Sequence, residues 1–323
     1  MYNQTEVILS QYELEIRQVS KGRGFYICDT GQGQLLLSPF KGSGEKGEWI
    51  RQYLEDLQRE GYPAEQIFRN KNNAVVTEDE VTGERFWVKT EIRGRELNTG
   101  NFEEMTEAAG MLARFHNASA MVQLPEAGIG ILQAAKTGTR HARELIKVKN
   151  YIWSKKKKQE FERIYLQNFQ SIYRSAEESC RLLEQAEEET STLLVCHGDC
   201  NQHNIVQVEN HWQLIHFENV IYGWAVWDLA GYMRKMMEKN NWNMNLGRDI
   251  VKSYHGMHPL TEQDLRKLYA LLLFPEKFWK LANHYMSSNK AWIPEKDIEK
   301  LKKVIEQEKC RLNFVENLFS ICP

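Results

Sequence analysis

The chain has 323 residues, of which 42% are hydrophobic, 27% charged and 11% aromatic. This composition excludes collagen-like, mucin-like and disordered proteins, because hydrophobic patterning continues nearly to the C-terminus. The 42 Lys and Arg residues against 44 Asp and Glu residues give a formal charge of -2. Such a balance leaves no broad basic excess for binding many phosphates at once, so we expect no nucleic-acid partner.

The lack of a recognisable export signal and the pattern of the cysteines both lead us to expect synthesis in the cytoplasm. The N-terminal residues lack the basic and apolar regions of a signal peptide. The longest apolar run, residues 269–274, is too short to cross a membrane. The 6 cysteines form no C-x-x-C pair, so reduced thiols are expected.

The first ninety residues show the period-two alternation and the glycine turns of an antiparallel sheet. Strands are predicted at residues 13–19, 25–28, 34–37, 74–77 and 85–90, and one helix at residues 49–57. These elements predict a small region built mainly of short strands.

After residue 91 the hydrophobic period changes to 3.6 and predicts helices almost throughout. Helices are expected from Asn101, over residues 160–188, from Thr261 and over residues 296–318. Strands followed by helices indicate an α+β fold of two lobes: a small antiparallel-sheet lobe over 1–92 and a larger helical lobe over 93–323. A ligand is expected in the cleft between the lobes.

One polar loop interrupts the helical half. An apolar strand over 193–196 leads into residues 197–204, and a hairpin with strands at 205–208 and 212–217 follows. In this loop Asn204 comes five residues after Asp199. Phosphoryl transfer needs a carboxylate that accepts the substrate hydroxyl proton and a neutral oxygen that holds Mg²⁺, and these two residues fit those roles.

A zinc cluster is the alternative interpretation of the same loop. Cys196, His197, Cys200 and His203 place four ligand types within eight residues. The spacing is more cramped than in the usual paired-loop zinc sites, so this alternative is disfavoured.

The loop and its flanks resemble a known group of kinases. His197, Asp199 and Asn204 form H-G-D-x-x-x-x-N, and an acidic strand end and the Asp228-Leu229-Ala230 run follow downstream. This pattern resembles the aminoglycoside phosphotransferase and choline kinase group, a branch of the protein-kinase-like fold. More narrowly, the runs at residues 93–96, 112–116 and 274–280 are similar to the bacterial spore coat CotS family.

The resemblance implies a two-lobed kinase-like fold with ATP and Mg²⁺ as cofactors. Asp199 would be the catalytic base and Asn204 a metal ligand. Backbone groups of the hinge from Glu91 to Arg93 would bind adenine, and Asp228 would support the loop from below.

Two positions depart from the family pattern. His216 stands where the family has an aspartate that holds the metal, and a neutral imidazole is a poor ligand for Mg²⁺. Glu218, two residues on, either reaches the metal instead or pairs with His216 and raises its pKa. Ser38 occupies the place of the phosphate-binding lysine, and Lys41 is the nearest replacement.

These departures favour a kinase-fold protein of spore-coat type with weakened or lost phosphotransferase chemistry, acting as a structural or interaction component. Weak or absent binding of ATP and Mg²⁺ is then expected. The alternative is an active ATP-dependent small-molecule kinase that uses Asp199, Asn204 and Glu218. Nucleotide, a small-molecule acceptor and spore coat proteins are the expected partners, and the spore coat location follows from the resemblance alone. The acceptor and the oligomeric state are not predicted.

Overall fold

The computed structural model describes residues 4–22, 24–123, 128–288 and 292–321. Five cysteines in these ranges are free. The sixth, Cys322, lies outside the described residues.

Eleven strands and eleven α-helices are found in the described ranges, together with a 3₁₀ turn at Phe217–Asn219. The strands are β1 (Ile16–Lys21), β2 (Tyr26–Thr30), β3 (Gly33–Pro39), β4 (Ile67–Phe68), β5 (Thr77–Glu78), β6 (Arg85–Thr90), β7 (Arg95–Glu96), β8 (Leu194–Cys196), β9 (Ile205–Val208), β10 (His211–Leu214) and β11 (Ile221–Gly223). The helices are α1 (Gln4–Leu9), α2 (Gly44–Arg59), α3 (Phe102–Met121), α4 (Ala134–Ser154), α5 (Glu160–Glu188), α6 (Ala225–Lys239), α7 (Met244–His255), α8 (Glu262–Leu273), α9 (Glu276–Ser287), α10 (Glu295–Glu316) and α11 (Leu318–Ile321).

The chain divides into two compact units. The first unit comprises Met1–Asn98, Met111–Ile131 and Leu193–Ala225, and the second comprises Thr99–Gly110, Leu132–Thr192 and Val226–Pro323. An antiparallel sheet in the N-terminal region and a larger helical part confirm the α+β fold class. The lobes at residues 1–92 and 93–323 stay a prediction.

The main sheet of the first unit is antiparallel, in the order β1-β2-β3-β6-β4, and β5 also pairs with β6. Helix α2 begins at the cap Ser43, whose side chain accepts the Lys46 N–H, and it buries one apolar stripe. This helix is longer than the predicted residues 49–57. In the β3–β6 register Leu36 lies opposite Lys89, and Ser38 lies opposite Trp87.

Two smaller sheets hold the polar loop of the first unit. Strands β9 and β10 form the predicted hairpin and extend to β7, whereas β8 pairs with β11. The loop at residues 197–204 therefore connects two different sheets. The strand predicted at residues 212–217 is wrong in its extent, because β10 ends at Leu214 and a 3₁₀ turn follows.

The second unit is helical, with a core formed by α4, α5, α9 and α10. Helix α5 has the predicted bounds, and a capping box between Gln159 and Glu162 fixes its start. Helix α8 begins with the capping box between Thr261 and Asp264 that the sequence predicts.

Candidate functional site

A cavity of ≈ 1010 Å³ lies within the first unit. Its lining includes all eight residues that the sequence proposes as site residues: Ser38, Lys41, Glu91, Arg93, Asp199, Asn204, His216 and Glu218. These eight residues lie up to 180 positions apart along the chain, yet they line one cavity. Their roles stay predictions.

The polar loop is shaped by Gly198 and His197. Gly198 has φ +79°, and a Cβ there would lie 2.1 Å from the carbonyl oxygen of Asn219, so only glycine fits. His197 is fully buried. Its Nε2 lies 3.0 Å from the Ile215 carbonyl, and its Nδ1 accepts the Asp199 backbone N–H at 3.3 Å. This imidazole therefore positions Asp199.

Asp199 and Asn204 are joined directly. The Asn204 amide donates to the Asp199 carboxylate at 3.1 Å and to the Asp199 carbonyl at 2.9 Å. Since both donors of the Asn204 amide face Asp199, its oxygen stays available to an ion or another donor. The loop thus keeps a carboxylate and an amide oxygen beside the same cavity.

Lys89 forms the most buried charge cluster beside this cavity. Its side chain is fully buried, and its ammonium donates to Glu65 at 3.0 Å and to Glu218 at 2.5 Å. The same nitrogen lies 3.0 Å from His216 Nδ1. Glu65 also accepts the backbone N–H groups of His216 and Phe217, each at 3.2 Å. We call Lys89, Glu65, His216 and Glu218 the Lys89 cluster.

Lys89, Glu218 and His216 have pKa values that depart from their ordinary ones. Burial lowers the pKa of Lys89, but Glu65 and Glu218 more than offset this and hold it above its usual value. Burial alone would raise the pKa of Glu218, yet the Lys89 ammonium holds it below the usual range. Burial and the nearby Lys89 lower the pKa of His216. Glu65 and Glu218 act in the opposite direction, as expected for Glu218, but their effect on the pKa of His216 is outweighed.

His216 and Glu218 are not neighbours on a strand face. His216 adopts a left-handed conformation with φ +69°, just beyond β10. Glu218 lies in the 3₁₀ turn that follows, with its Oε1 3.9 Å from His216 Nδ1. The two side chains still meet, because both contact Lys89.

Three polar positions of the N-terminal region differ in exposure. Ser38 is buried on β3, and Lys41 is exposed at the rim of the cavity. Lys46, in the first turn of α2, is half-buried and also lines the cavity. Burial lowers the pKa of Lys46, and the charge of Glu218 opposes this. Lys46 is thus a second cation facing the cavity.

Two hinge donors are already used within the protein. The Thr90 N–H donates to the Gln66 carbonyl, and the Glu91 N–H donates to the Gln34 carbonyl. The Arg93 guanidinium donates to the Glu91 carboxylate at 2.8 Å. An adenine ring in the cavity would therefore have to take its N–H donor from Ile92 or Arg93.

The zinc alternative does not hold. Cys196 donates to the Trp224 carbonyl, His197 contacts the Ile215 carbonyl, and His203 lies 2.8 Å from Glu96. In the part of the chain that the structure describes, no three of Cys196, His197, Cys200 and His203 gather as metal ligands. The side chains of Cys196, His197 and His203 each contact a different acceptor.

Lys89, Glu65 and Lys46 were missed by the sequence reasoning. Ser38 on β3 stands at the position predicted for the lysine, whereas Lys89 follows the apolar residue Val88 on β6. A lysine at an inward position of an apolar strand is itself a signal, because it needs a buried partner. That partner, Glu65, lies in a loop and could not be identified from periodicity.

Comparison with known proteins gives the family. Residues 5–318 match the model of the family described as "Spore coat putative kinase YutH". The chain is 23% identical to Spore coat protein S of Bacillus subtilis (strain 168) over 327 residues, which covers 96% of this chain and 92% of that protein.

Solved structures agree on the fold. An aminoglycoside phosphotransferase from Alicyclobacillus acidocaldarius aligns with a TM-score of 0.80 and 20% identity, over 98% of this chain and 95% of that one. The amicoumacin kinase in complex with AMP-PNP and Ca²⁺ aligns with a TM-score of 0.66 and 14% identity, over 97% and 94% of the two chains.

None of the described helices is both long and apolar enough to cross a membrane. The resemblance to the aminoglycoside phosphotransferase and choline kinase group is confirmed. With residues 5–318 matched by one family model, the chain belongs to the family described as spore coat putative kinase YutH.

Proposed function

We propose that this chain is a kinase-fold protein of the spore coat whose phosphotransferase chemistry is weakened or lost, and that it acts there as a structural or interaction component. The observation that carries the proposal is the Lys89 cluster. The Lys89 ammonium is hydrogen-bonded to Glu218. Glu218 is the one carboxylate in the segment where the family has its metal-binding aspartate.

A magnesium ion does not fit this set of donors. Mg²⁺ requires near-octahedral oxygen ligands and is usually held by one or two carboxylates together with substrate phosphates. One oxygen of Glu218 already accepts from Lys89, and the facing nitrogen of His216 lies against the same ammonium. Asn204 adds an oxygen without charge. The kinase-like neighbour that carries AMP-PNP and Ca²⁺ makes nucleotide and metal the natural ligands to test.

The phosphate contact is weakened in the same way. Ser38 carries no charge, so Lys41 and Lys46 are the lysines that the lining of the cavity offers to a phosphate. Losing the lysine contact removes a charge-assisted hydrogen bond worth about 1.5 to 3 kcal/mol. Losing one metal carboxylate removes a charged oxygen ligand as well. Affinity for Mg-ATP is then lower by orders of magnitude than in an ordinary kinase site.

An active small-molecule kinase is the second candidate, and the Asp199–Asn204 pair favours it. Asp199 is held by His197 and Asn204 beside the cavity, where its carboxylate could accept the proton of an acceptor hydroxyl. In this candidate Lys46 would contact the phosphates.

Calorimetric titration with ATP, with and without Mg²⁺, tests the proposal together with an assay of ADP formation. We expect binding weaker than micromolar, and no more ADP than from an Asp199→Asn variant, which keeps the loop but lacks the base. Micromolar binding of Mg-ATP, or turnover that disappears in Asp199→Asn, would establish the active kinase instead.

A further inference from the structure

The ammonium of Lys89 uses its full bonding capacity on side chains at the edge of the cavity. A lysine ammonium has three donors and no acceptor. Here the three acceptors are Glu65 at 3.0 Å, His216 at 3.0 Å and Glu218 at 2.5 Å. The side chain reaches them from β6, and the nitrogen is sealed from solvent.

The acceptors resemble the surroundings of a bound cation. Two carboxylates and one imidazole converge on a single point charge, and the structure contributes them from separate segments of the first unit. Glu65 is fixed independently, since it also accepts the His216 and Phe217 backbone N–H groups. The cluster is therefore a built site, and its occupant is a side chain.

We propose that the Lys89 ammonium is a tethered cation that takes the place of a divalent metal ion in this cavity. The inference rests on the proposed function, and it explains how a metal position can be lost while the loop around Asp199 is retained. Glu218 keeps a positive partner without an ion. A phosphate-bearing ligand that enters the cavity does so in its metal-free form and meets Lys41 and Lys46.

Competition between the Lys89 ammonium and a divalent ion for the same ligands underlies the proposal. An ion bound to Glu218 and His216 would lie within a few ångströms of the ammonium, and like charges at that distance in a partly buried site repel strongly. The tethered amine is also present at one copy per site, whatever the metal concentration. A divalent ion must therefore displace Lys89 before it can bind.

Removing the Lys89 charge should create a metal site. Mn²⁺ alone is the probe, followed by electron paramagnetic resonance of the free ion. We expect the unmodified chain to bind no Mn²⁺ through Glu218, and Lys89→Met and Lys89→Gln to bind one ion at least about tenfold more tightly than the unmodified chain. Lys89→Gln is included because its amide can still donate to Glu65 or Glu218.

Matched controls separate charge from packing. Lys89→Arg keeps the positive charge and should gain no Mn²⁺ binding. Lys155→Met removes a lysine paired with one buried carboxylate, Glu162, in the second unit, and should gain none either. Adding Glu218→Gln to Lys89→Gln should abolish the gain.

Stability provides a second measurement for variants that fold poorly. Mn²⁺ should raise the melting temperature of Lys89→Met and Lys89→Gln and leave the unmodified chain unchanged, because an ion that binds only the folded state stabilises it. Mn²⁺ binding by the unmodified chain that is lost in Glu218→Gln would overturn the proposal. It would equally be overturned if neither Lys89 variant gained binding or thermal rescue.

The two proposals fail separately. ATP turnover in the presence of EDTA would contradict the proposal that phosphotransferase chemistry is lost, but it would be consistent with the tethered-cation proposal. Binding of Mn²⁺ through Glu218 in the unmodified chain, without any turnover, would contradict the tethered-cation proposal and be consistent with the loss of phosphotransferase chemistry.

Discussion

Each unit of the molecule contains a buried lysine–glutamate cluster, and the two clusters differ in what surrounds them. In the second unit Glu162 is fully buried and accepts from Lys155 at 2.5 Å, from Tyr285 at 2.6 Å and from the Gln159 backbone at 2.7 Å. In the first unit Glu218 accepts from Lys89 but keeps 24% of its side chain exposed beside the large cavity.

The difference separates a structural pair from a site. Glu162 completes the capping box at the start of α5. Its carboxylate oxygens accept hydrogen bonds from that helix start and from the Lys155 and Tyr285 side chains. Both carboxylates of the Lys89 cluster line the cavity, but Glu65 is buried and used in the same structural way, whereas Glu218 is partly exposed. A buried ion pair therefore indicates function only where one partner remains open to a ligand.

The largest expected effect is that of Glu65→Ala. This change leaves the ammonium of Lys89 with one carboxylate and removes the acceptor of two backbone N–H groups. Breaking a buried ion pair by removing one partner costs about 3 to 5 kcal/mol, so the free energy of unfolding in urea should fall by that amount.

Glu78→Ala is the matched control in the same unit. Glu78 pairs with Arg85 at 2.9 Å, and both side chains are largely exposed, so the loss should stay below about 1 kcal/mol. Equal losses in the free energy of unfolding for Glu65→Ala and Glu78→Ala would show that the buried pair of Lys89 and Glu65 stabilises the fold no more than an exposed pair does.

Glu162→Ala should have the next largest effect. It removes charge-assisted bonds to Lys155 and Tyr285 and the cap of α5, but Lys155 is 31% exposed and can recover hydration. We expect a loss of about 1.5 to 3 kcal/mol in the free energy of unfolding, with ligand binding in the cavity of the first unit unchanged. The control Glu160→Ala, on the same helix, removes an exposed pair with Lys302 and should lose clearly less stability than Glu162→Ala.

A larger loss for Glu162 than for Glu65 would reverse the comparison. A change in ATP binding caused by Glu162→Ala would contradict it in another way, because the second cluster would then act on the cavity.

Much of this fold could be predicted from periodicity and caps. Helix α5 was predicted with its bounds because its apolar stripe is long, and Thr261 with Asp264 marks the start of α8 by local chemistry alone. The turn around His216 could not be predicted in the same way. Its left-handed backbone depends on Glu65, which holds the His216 and Phe217 N–H groups from 151 and 152 residues away.

The candidate site shows the same division. Asp199 and Asn204 lie in one loop, so their spacing carries the chemistry, and the cavity contains both. Lys89 lies 129 residues from Glu218, and only the pairing of β6 within the sheet brings its side chain to the cluster. Local motifs are visible in a sequence, whereas a partner that arrives from another strand becomes visible only in the folded chain.

The smallest expected effect is that of His216→Asp. Sequence reasoning alone predicts that this change restores the family's metal carboxylate and strengthens Mg²⁺-dependent binding of ATP. In the structure Lys89 lies 3.0 Å from His216 Nδ1, so a new carboxylate would meet the ammonium before it meets an ion. We therefore expect the ratio of ATP affinities with and without Mg²⁺ to change by less than about threefold in calorimetry, since a further anion mainly strengthens the existing charge cluster. The double variant His216→Asp with Lys89→Gln frees that carboxylate and should increase the ratio by about tenfold or more, because Mg²⁺ gains a hard, charged oxygen ligand. A large gain in His216→Asp alone would mean that Lys89 yields its place easily, and the two buried clusters would then differ less than their geometry indicates.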